Sequence, residues 1–151
     1  MLSVVDWRHY DRDNAPYCSH FCEENVLMLG QQLIDVCKSD GSSVYAMFIS
    51  SDDKYTPLWR QRLGQESQGG FVAWDYHVVL LIKSENGADD LIYDADSTLP
   101  YPCPLLLYIN ETFQWKNSDI QASLRRAHIE QYAISLVLFH LSIFLICCCC
   151  D

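Results

Sequence analysis

The sequence predicts an α+β fold in which one helix precedes a mostly antiparallel sheet, and three observations lead to this prediction. Residues 71–83 form a run of β-branched and aromatic residues, which is typical of a central strand. Residues 91–94 follow after a short segment containing Asn-Gly, so the two runs are predicted to form a β-hairpin. Residues 22–38 instead place apolar side chains at helical spacing.

The composition indicates one globular domain. The chain has 151 residues, half of them hydrophobic, which is enough for one core and too few for two domains. Its net charge is −10 and its largest basic cluster is Arg125-Arg126, which argues against nucleic acid as a partner. The first residues lack the pattern of a signal peptide, so we expect a reducing compartment in which the eight cysteines are free thiols.

The first elements follow from charge and periodicity. Residues 1–16 are polar with scattered aromatic residues, and we expect them to pack on the domain as an arm. The helix over 22–38 has glutamates in its first turn and a lysine in its last, where each charge suits the helix dipole. Gly41 is predicted to end it.

The positions of β-branched, proline and glycine residues predict the remaining strands and loops. Strands are predicted over 44–49 and 56–59, and the proline in the second places it at a sheet edge. The Gln- and Gly-rich residues 64–70 are expected to form a mobile loop that roofs a site. The alternating prolines of 99–104 predict an extended path, and a short helix is predicted to begin at Ser118-Asp119 and to end at Arg126.

The hairpin brings a histidine and an aspartate together in the expected register. Pairing Ile82 with Asp89 places His77 opposite Asp94, whereas a shift of two residues places Asp96 there. Directly opposed residues have Cβ atoms about 4.5 to 5.5 Å apart, close enough for a carboxylate to hold an imidazole. A core histidine bonded to a backbone carbonyl is the alternative interpretation.

Cys22 is predicted at the start of the helix, where backbone N–H groups and the dipole stabilise a thiolate and bind the oxygen of an attacked carbonyl. Cys22, His77 and Asp94 then supply nucleophile, base and orienting carboxylate, the arrangement of papain-like and transglutaminase-like cysteine hydrolases. A chance occurrence of these residue types in this order is the alternative. A zinc site at Cys18, His20 and Cys22 is disfavoured because these residues are crowded and no second pair follows.

Three segments carry a resemblance to a known family. They are Cys-Glu-Glu-Asn-Val over 22–26, Trp-Asp-Tyr-His-Val-Val-Leu-Leu over 74–81, and Ile-Tyr-Asp-Ala-Asp over 92–96. With the Leu-Pro-Tyr-Pro-Cys that follows over 99–103, they resemble the protein N-terminal glutamine amidohydrolase family, whose hallmark is a Trp-Asp-Tyr-His-Val motif. The resemblance runs from Tyr17 to Arg126.

This resemblance implies an enzyme that converts an N-terminal glutamine to glutamate. It implies that Cys22 is the nucleophile, His77 the base and Asp94 the third triad member. The thiolate attacks the side-chain amide, ammonia leaves, and water hydrolyses the resulting thioester. The α-ammonium group of the substrate calls for an acidic partner, and three residues are candidates: Glu23, Asp75 and Asp96.

The resemblance also implies a cellular setting. Such enzymes are monomers without cofactor or metal that act in the cytoplasm and nucleus on proteins or peptides with an N-terminal glutamine, in the arginylation branch of the N-degron pathway. A function of a different class is an inactive module that binds N-terminal residues without changing them.

From residue 127 the chain departs from the family pattern. Motifs of the Ser-Asp-Arg-Ser-His-Met and Gly-Asn-Trp kinds are absent, so we expect an incomplete catalytic domain over 1–126 and a hydrophobic, Cys-rich tail over 127–151. As a helix, residues 132–150 would extend roughly 28 Å, near the thickness of a bilayer core, so a membrane anchor is one interpretation. The favoured interpretation is an alternative 3′ end that is unrelated to the fold.

Overall fold

The computed structural model describes residues 6–85, 90–114 and 132–138. Two helices lie in this part of the chain, Cys22–Ser39 (α1) and Leu105–Phe113 (α2). The strands are Ser43–Ser51 (β1), Thr56–Leu58 (β2), Val72–Trp74 (β3), Tyr76–Lys83 (β4), Leu91–Tyr93 (β5), Cys103–Pro104 (β6) and Tyr132–Leu138 (β7). Every strand pair among the described residues is antiparallel, which confirms the α+β class with a mostly antiparallel sheet.

The main sheet places β4 at its centre and is covered on both faces. Within the described residues its strand order is β6-β5-β4-β1-β7. Alternate residues of β4 point to opposite sides: Val78, Leu80 and Ile82 pack in a cluster with α1. Val79 and Leu81 pack in a second cluster with α2. The continuous apolar run of β4 is therefore that of a strand buried on both faces.

Helix α1 confirms the prediction from its periodicity and ends one residue later than expected. Its buried stripe includes Val26, Leu29, Leu33 and Cys37, which are three or four residues apart. Gly41 follows with a φ of +81°, a left-handed conformation that glycine adopts without steric cost. The chain therefore turns sharply from α1 into β1.

The prediction of a single strand over 71–83 is wrong, because the chain changes its pairing strands at Asp75. Before this residue, β3 pairs with β2 in a separate two-stranded sheet, as Pro57 at a sheet edge predicts. After it, β4 pairs with β1 and β5. The Thr56 hydroxyl donates to the Asp75 carbonyl at 3.3 Å, and the Asp75 side chain is exposed. Asp75 therefore does not share the buried environment of His77.

The hairpin is confirmed, but its register differs by two residues from the expected one. Ile82 pairs with Leu91 and Leu80 with Tyr93. The Asn-Gly turn and Asp89, from which the expected register was counted, lie outside the described residues.

The N-terminal arm packs on the domain from residue 6 onward, as predicted, and contains the 3₁₀ turns Trp7–His9 and Arg12–Asn14. Trp7 is 1% exposed, and its Nε1–H donates to Asp40 Oδ2 at 2.7 Å. The loop over 64–70 is tied to the preceding segment, because its Gly69 and Gly70 carbonyls accept backbone N–H bonds.

Helix α2 is an element that the sequence analysis missed. The extended path predicted for residues 99–104 is found only in Cys103–Pro104 (β6), because the chain bends before it, where the Tyr101–Pro102 peptide bond is cis. Helix α2 begins directly after β6. Its first turn, Leu-Leu-Leu-Tyr, has no acidic or capping side chain, and the N-cap is Pro104. The helix predicted from Ser118 to Arg126 lies outside the described residues.

Within the expected tail, residues 132–138 form an edge strand rather than a helix. β7 pairs with β1 along its length, from Tyr45 opposite Leu138 to Ser51 opposite Tyr132. This pairing satisfies the outer backbone groups of β1, which explains why a β-branched segment adds to the sheet. Residues 139–150 lie outside the described part. Neither of the described helices is long and apolar enough to cross a membrane.

Candidate active site

The Cys22 thiol lies at the first residue of α1 and is 8% exposed. The loop before it is held by Asn25, one turn into the helix. Asn25 Oδ1 accepts the Cys18 N–H at 2.7 Å, and its Nδ2 donates to the Cys18 carbonyl at 2.9 Å. His20, between these residues, has a φ of +69°, which non-glycine residues seldom adopt. The loop is therefore fixed in a tight path that presents Cys22 at the helix N-terminus.

His77 and Asp94 form a buried pair. His77 Nε2 lies 3.0 Å from Asp94 Oδ1, and their side chains are 0% and 2% exposed. The observed register, extended past the last pair of β5, places His77 opposite Asp96 rather than Asp94. The expected direct pairing is therefore wrong, and the contact is diagonal across the strands, a distance that long side chains bridge. The predicted partner is nevertheless confirmed.

Four donors from the described residues surround the Asp94 carboxylate. Oδ1 accepts the Asp96 N–H at 2.9 Å in addition to His77. Oδ2 accepts the Tyr108 hydroxyl at 2.8 Å, and Gln61 Nε2 lies 3.5 Å away. Sequence reasoning missed Tyr108 and Gln61, because they come from α2 and from a loop, and neither segment is near Asp94 along the chain.

The electrostatics of the pair favour the ionic form. Burial opposes protonation of His77, but the Asp94 charge, its hydrogen bond and the interaction with Cys22 together raise the His77 pKa. Burial likewise opposes ionisation of Asp94, whereas the charge and hydrogen bond of His77, together with the bonds from Tyr108 and Asp96, lower the Asp94 pKa. Each group of the pair thus stabilises the charged form of the other.

The geometry leaves Nδ1 of His77 for the thiol. Nε2 is bonded to Asp94, and Nδ1 makes no hydrogen bond of standard geometry within the described residues. The Cys22 thiol interacts with the same imidazole. Cys22, His77 and Asp94 thus lie in one line of interactions, which is the order of nucleophile, base and orienting carboxylate that nucleophilic attack requires.

Trp74 covers the imidazole on one face. Its ring centroid lies 5.0 Å from that of His77, with an angle of 18° between the planes. The face of an indole attracts a cation and excludes water. Trp74 therefore favours the charged form of His77 and fixes the plane of its ring.

A cleft of about 390 Å³ opens beside the thiol. Its lining residues are His20, Cys22, Glu23, Leu63, Val72, Ala73, Trp74, Asp75 and Tyr76. Two of the three acidic candidates for substrate binding, Glu23 and Asp75, therefore face this space. Asp96 does not line the cleft: it is 2% exposed, and its Oδ1 accepts the Tyr17 hydroxyl at 2.8 Å.

Glu23 is bonded on both carboxylate oxygens. The Tyr76 hydroxyl donates to Oε1, and the Cys22 sulfur lies 3.2 Å from Oε2. Burial raises the Glu23 pKa, but bonds from Tyr76, its own N–H and Cys22 outweigh burial and lower it. Glu23 therefore offers a negative charge at the mouth of the cleft.

The spacing of His77, Asp94 and Asp96 alone would suit a metal ion, because one ligand atom from each lies within 4.8 Å of the others. Hydrogen bonds already engage these atoms, however. His77 Nε2 is paired with Asp94, and Asp96 accepts from Tyr17. The arrangement suits proton transfer better than metal coordination.

Comparison with known proteins finds relatives of this chain. A family model described as N-terminal glutamine amidase matches residues 17–135. Several relatives are named protein N-terminal glutamine amidohydrolase. The protein from Oryza sativa subsp. indica is 40% identical over 69% of this chain and 46% of its own length. The protein from Homo sapiens is 38% identical over 76% of this chain and 54% of its own length. The protein from Danio rerio is 42% identical over 65% of this chain and 47% of its own length. The chain therefore spans about half the length of the curated relatives it matches.

Proposed function

Because this chain belongs to the N-terminal glutamine amidase family, we propose that it is a cysteine-dependent amidohydrolase that converts an N-terminal glutamine to glutamate and releases ammonia. The observation that carries the proposal is the buried His77–Asp94 pair next to a cysteine at a helix N-terminus that opens on a cleft. These groups are what nucleophilic attack on a carboxamide requires.

In the first half of the reaction, the Cys22 thiolate attacks the carbonyl carbon of the glutamine side chain. A C–S bond forms, and the carbonyl oxygen becomes an oxyanion. Imidazolium His77 gives its Nδ1 proton to the amide nitrogen, the C–N bond breaks, and ammonia leaves. A glutamyl thioester and a neutral His77 remain.

In the second half, water hydrolyses the thioester. Neutral His77 takes a proton from water at Nδ1 as the oxygen attacks the thioester carbon. The C–S bond then breaks, which releases glutamate at the N-terminus of the product and restores the thiolate–imidazolium pair. Asp94 holds the proton on Nε2 throughout, so that Nδ1 is the nitrogen that exchanges protons.

The oxyanion is assigned to the start of α1. The first N–H groups of a helix have no partner within the helix and carry the positive end of its dipole. The N–H of Cys22 is one of them, so it lies close to the carbonyl that its own thiolate attacks. A cysteine nucleophile at a helix start with a histidine on an antiparallel sheet also supports a papain-like or transglutaminase-like fold for this chain.

Substrate selection is assigned to the acidic mouth of the cleft. Glu23 and Asp75 line it and are suited to bind the free α-ammonium group of the substrate. Asp96 is buried and accepts the Tyr17 hydroxyl, so it is the least accessible of the three acidic candidates. We propose further that the enzyme is a cofactor-free monomer of the cytoplasm and nucleus that serves the N-degron pathway. The tail-anchor alternative needs a helix over residues 132–150, of which residues 132–138 form strand β7.

The test is ammonia release from Gln-initiated peptides by Cys22→Ala and Cys18→Ser variants. Cys18 is an exposed cysteine in the same loop, so its variant controls for the loss of a thiol. Cys22→Ala is expected to lower kcat more than about 1,000-fold, and Cys18→Ser to leave it unchanged. A folded Cys22→Ala variant of near wild-type rate would refute the assignment, and binding of Gln peptides without ammonia release would favour an inactive binding module.

A further inference from the structure

The triad has a fourth buried group behind it, the hydroxyl of Tyr108. Tyr108 is 0% exposed on α2, and its hydroxyl donates to Asp94 Oδ2 at 2.8 Å. His77 occupies the other oxygen, Oδ1, at 3.0 Å. We propose that Tyr108 is a positioning residue that holds the Asp94 carboxylate with Oδ1 towards His77. This inference rests on the proposed deamidation reaction.

The Asp94 side chain needs such a support, because the sheet does not fix it. Tyr93 is the last paired residue of β5, and Asp94 follows it. The Asp96 N–H binds Oδ1, which leaves Oδ2 to side-chain donors. Gln61 Nε2 lies 3.5 Å from Oδ2 and also donates to a backbone carbonyl at 3.3 Å. Tyr108 is therefore the better placed donor on Oδ2.

Tyr108 is itself held at both ends of α2. At the start, β6 pairs with β5, and the Leu105 N–H donates to the Asp90 carbonyl at 2.9 Å. At the end, the Thr112 carbonyl accepts the Trp59 N–H at 2.9 Å, and Phe113 is 0% exposed. The contacts at both ends of α2 thus fix the position of the Tyr108 hydroxyl.

The Tyr108 hydroxyl keeps its proton. Burial, followed by the adjacent Asp94 charge, raises the Tyr108 pKa well above its ordinary value. Tyr108 is therefore assigned as a hydrogen-bond donor that orients Asp94 and does not exchange its proton during the reaction.

The first test compares two tyrosines that each lose one buried hydroxyl. Tyr108→Phe removes the donor to Asp94, whereas Tyr93→Phe removes a donor to the Trp7 carbonyl in the other core cluster. Tyr108→Phe is expected to lower kcat about tenfold with KM unchanged. This loss corresponds to the free energy that one hydrogen bond to a charged group contributes. Tyr93→Phe is expected to lower the melting temperature without this loss of kcat.

A double-mutant cycle shows whether Tyr108 acts through Asp94. In the Asp94→Asn background, Tyr108→Phe is expected to cause no further loss of kcat, because the two residues act as a unit. An equal loss in both backgrounds, or an unchanged kcat in the single variant, would overturn the proposal.

A nuclear magnetic resonance measurement decides the point without turnover. The His77 Nε2–H proton is expected to shift and to exchange faster with water in Tyr108→Phe, and to remain unchanged in Tyr93→Phe. Should Tyr108→Phe not fold, site-specific 3-fluorotyrosine at position 108 keeps the ring and makes the hydroxyl a stronger donor, and the same resonance is expected to shift. An unchanged resonance refutes the positioning role, whereas a wild-type chain that releases no ammonia refutes only the proposed function.

Discussion

The two aspartates near His77 have different environments. Asp94 bonds the imidazole, and Asp96 accepts a hydroxyl from Tyr17. We expect Asp94→Asn to lower kcat by more than about 100-fold, because an amide there favours the wrong imidazole tautomer.

Asp96→Asn is the matched control, since it changes a neighbouring carboxylate and keeps its backbone N–H bond to Asp94. The kcat of Asp96→Asn is expected to fall less than tenfold, because the change affects the strength of a single hydrogen bond. Steady-state kinetics of both variants on one Gln peptide make the comparison, and a greater loss in Asp96→Asn would show that the orienting carboxylate is misassigned.

The sequence was sufficient to predict that Cys22 starts a helix and that His77 contacts Asp94, because a helix start and a hairpin are local features. The catalytic roles of the three residues stay a prediction. The sequence was not sufficient for Trp74 and Tyr108 as supports of the triad. Within their own segments, both look like ordinary core aromatics. Their contacts with His77 and Asp94 exist only after α2 and β3 have packed against the sheet.

Among the elements, the loop before α1 depends most on a single side chain. Asn25 is 6% exposed and bonds both backbone groups of Cys18. Asn25→Ala is expected to lower the free energy of unfolding by about 1 to 3 kcal/mol, because the two partly buried hydrogen bonds to Cys18 are lost. It is also expected to lower kcat, since the loop sets the position of Cys22.

Gln31→Ala, at an exposed position of the same helix, controls for helix propensity. Denaturant unfolding and ammonia release measure the two effects. A normal kcat in a destabilised Asn25→Ala would show that the loop path does not govern the thiol.

A helix or strand could be predicted where its hydrophobic pattern fits only one packing partner in the fold. The stripe of α1 fits a helix on one sheet face, and α1 was predicted almost to the residue. Residues 71–83 read as one strand, because the residues on both sides of Asp75 favour β structure and only the fold shows that they join different sheets. The register could not be predicted, since alternation distinguishes a shift of one residue but not of two.

On the scale of the whole molecule, Asp40 joins the N-terminal arm to the end of α1. It accepts Trp7 Nε1–H at 2.7 Å and Arg8 at 3.0 Å. Burial opposes ionisation, but donors from Ser42, Trp7 and Arg8 lower the Asp40 pKa to about 2. A lowered pKa stabilises the fold above the ordinary value of 3.8, and this stabilisation is lost as the pH falls towards 2.

Asp40→Asn is therefore expected to lower the melting temperature at pH 7, and the difference from wild type is expected to shrink at pH 2. Asp35→Asn, elsewhere on α1, controls for the general effect of net charge. An Asp40→Asn deficit of the same size at both pH values would contradict the role of the ionised carboxylate.

The C-terminal side shows what composition alone leaves undecided. Residues 132–138 are uncharged and apolar enough to read as part of a membrane helix, yet they pair with β1. Such a segment can complete a sheet when a neighbouring strand offers an unpaired edge, and it can otherwise span a membrane. Hydropathy does not show whether such an edge is present.

The central claim is that Cys22 of this 151-residue chain hydrolyses the side-chain amide of an N-terminal glutamine. Mass spectrometry of a Gln-initiated peptide incubated with the folded chain in H₂¹⁸O tests it most directly. Thioester hydrolysis places one solvent oxygen in the product, so a gain of about 3 daltons is predicted, and the N-acetylated peptide should not change. An unchanged mass with folded wild-type protein, or the same gain with Cys22→Ala, would contradict the claim.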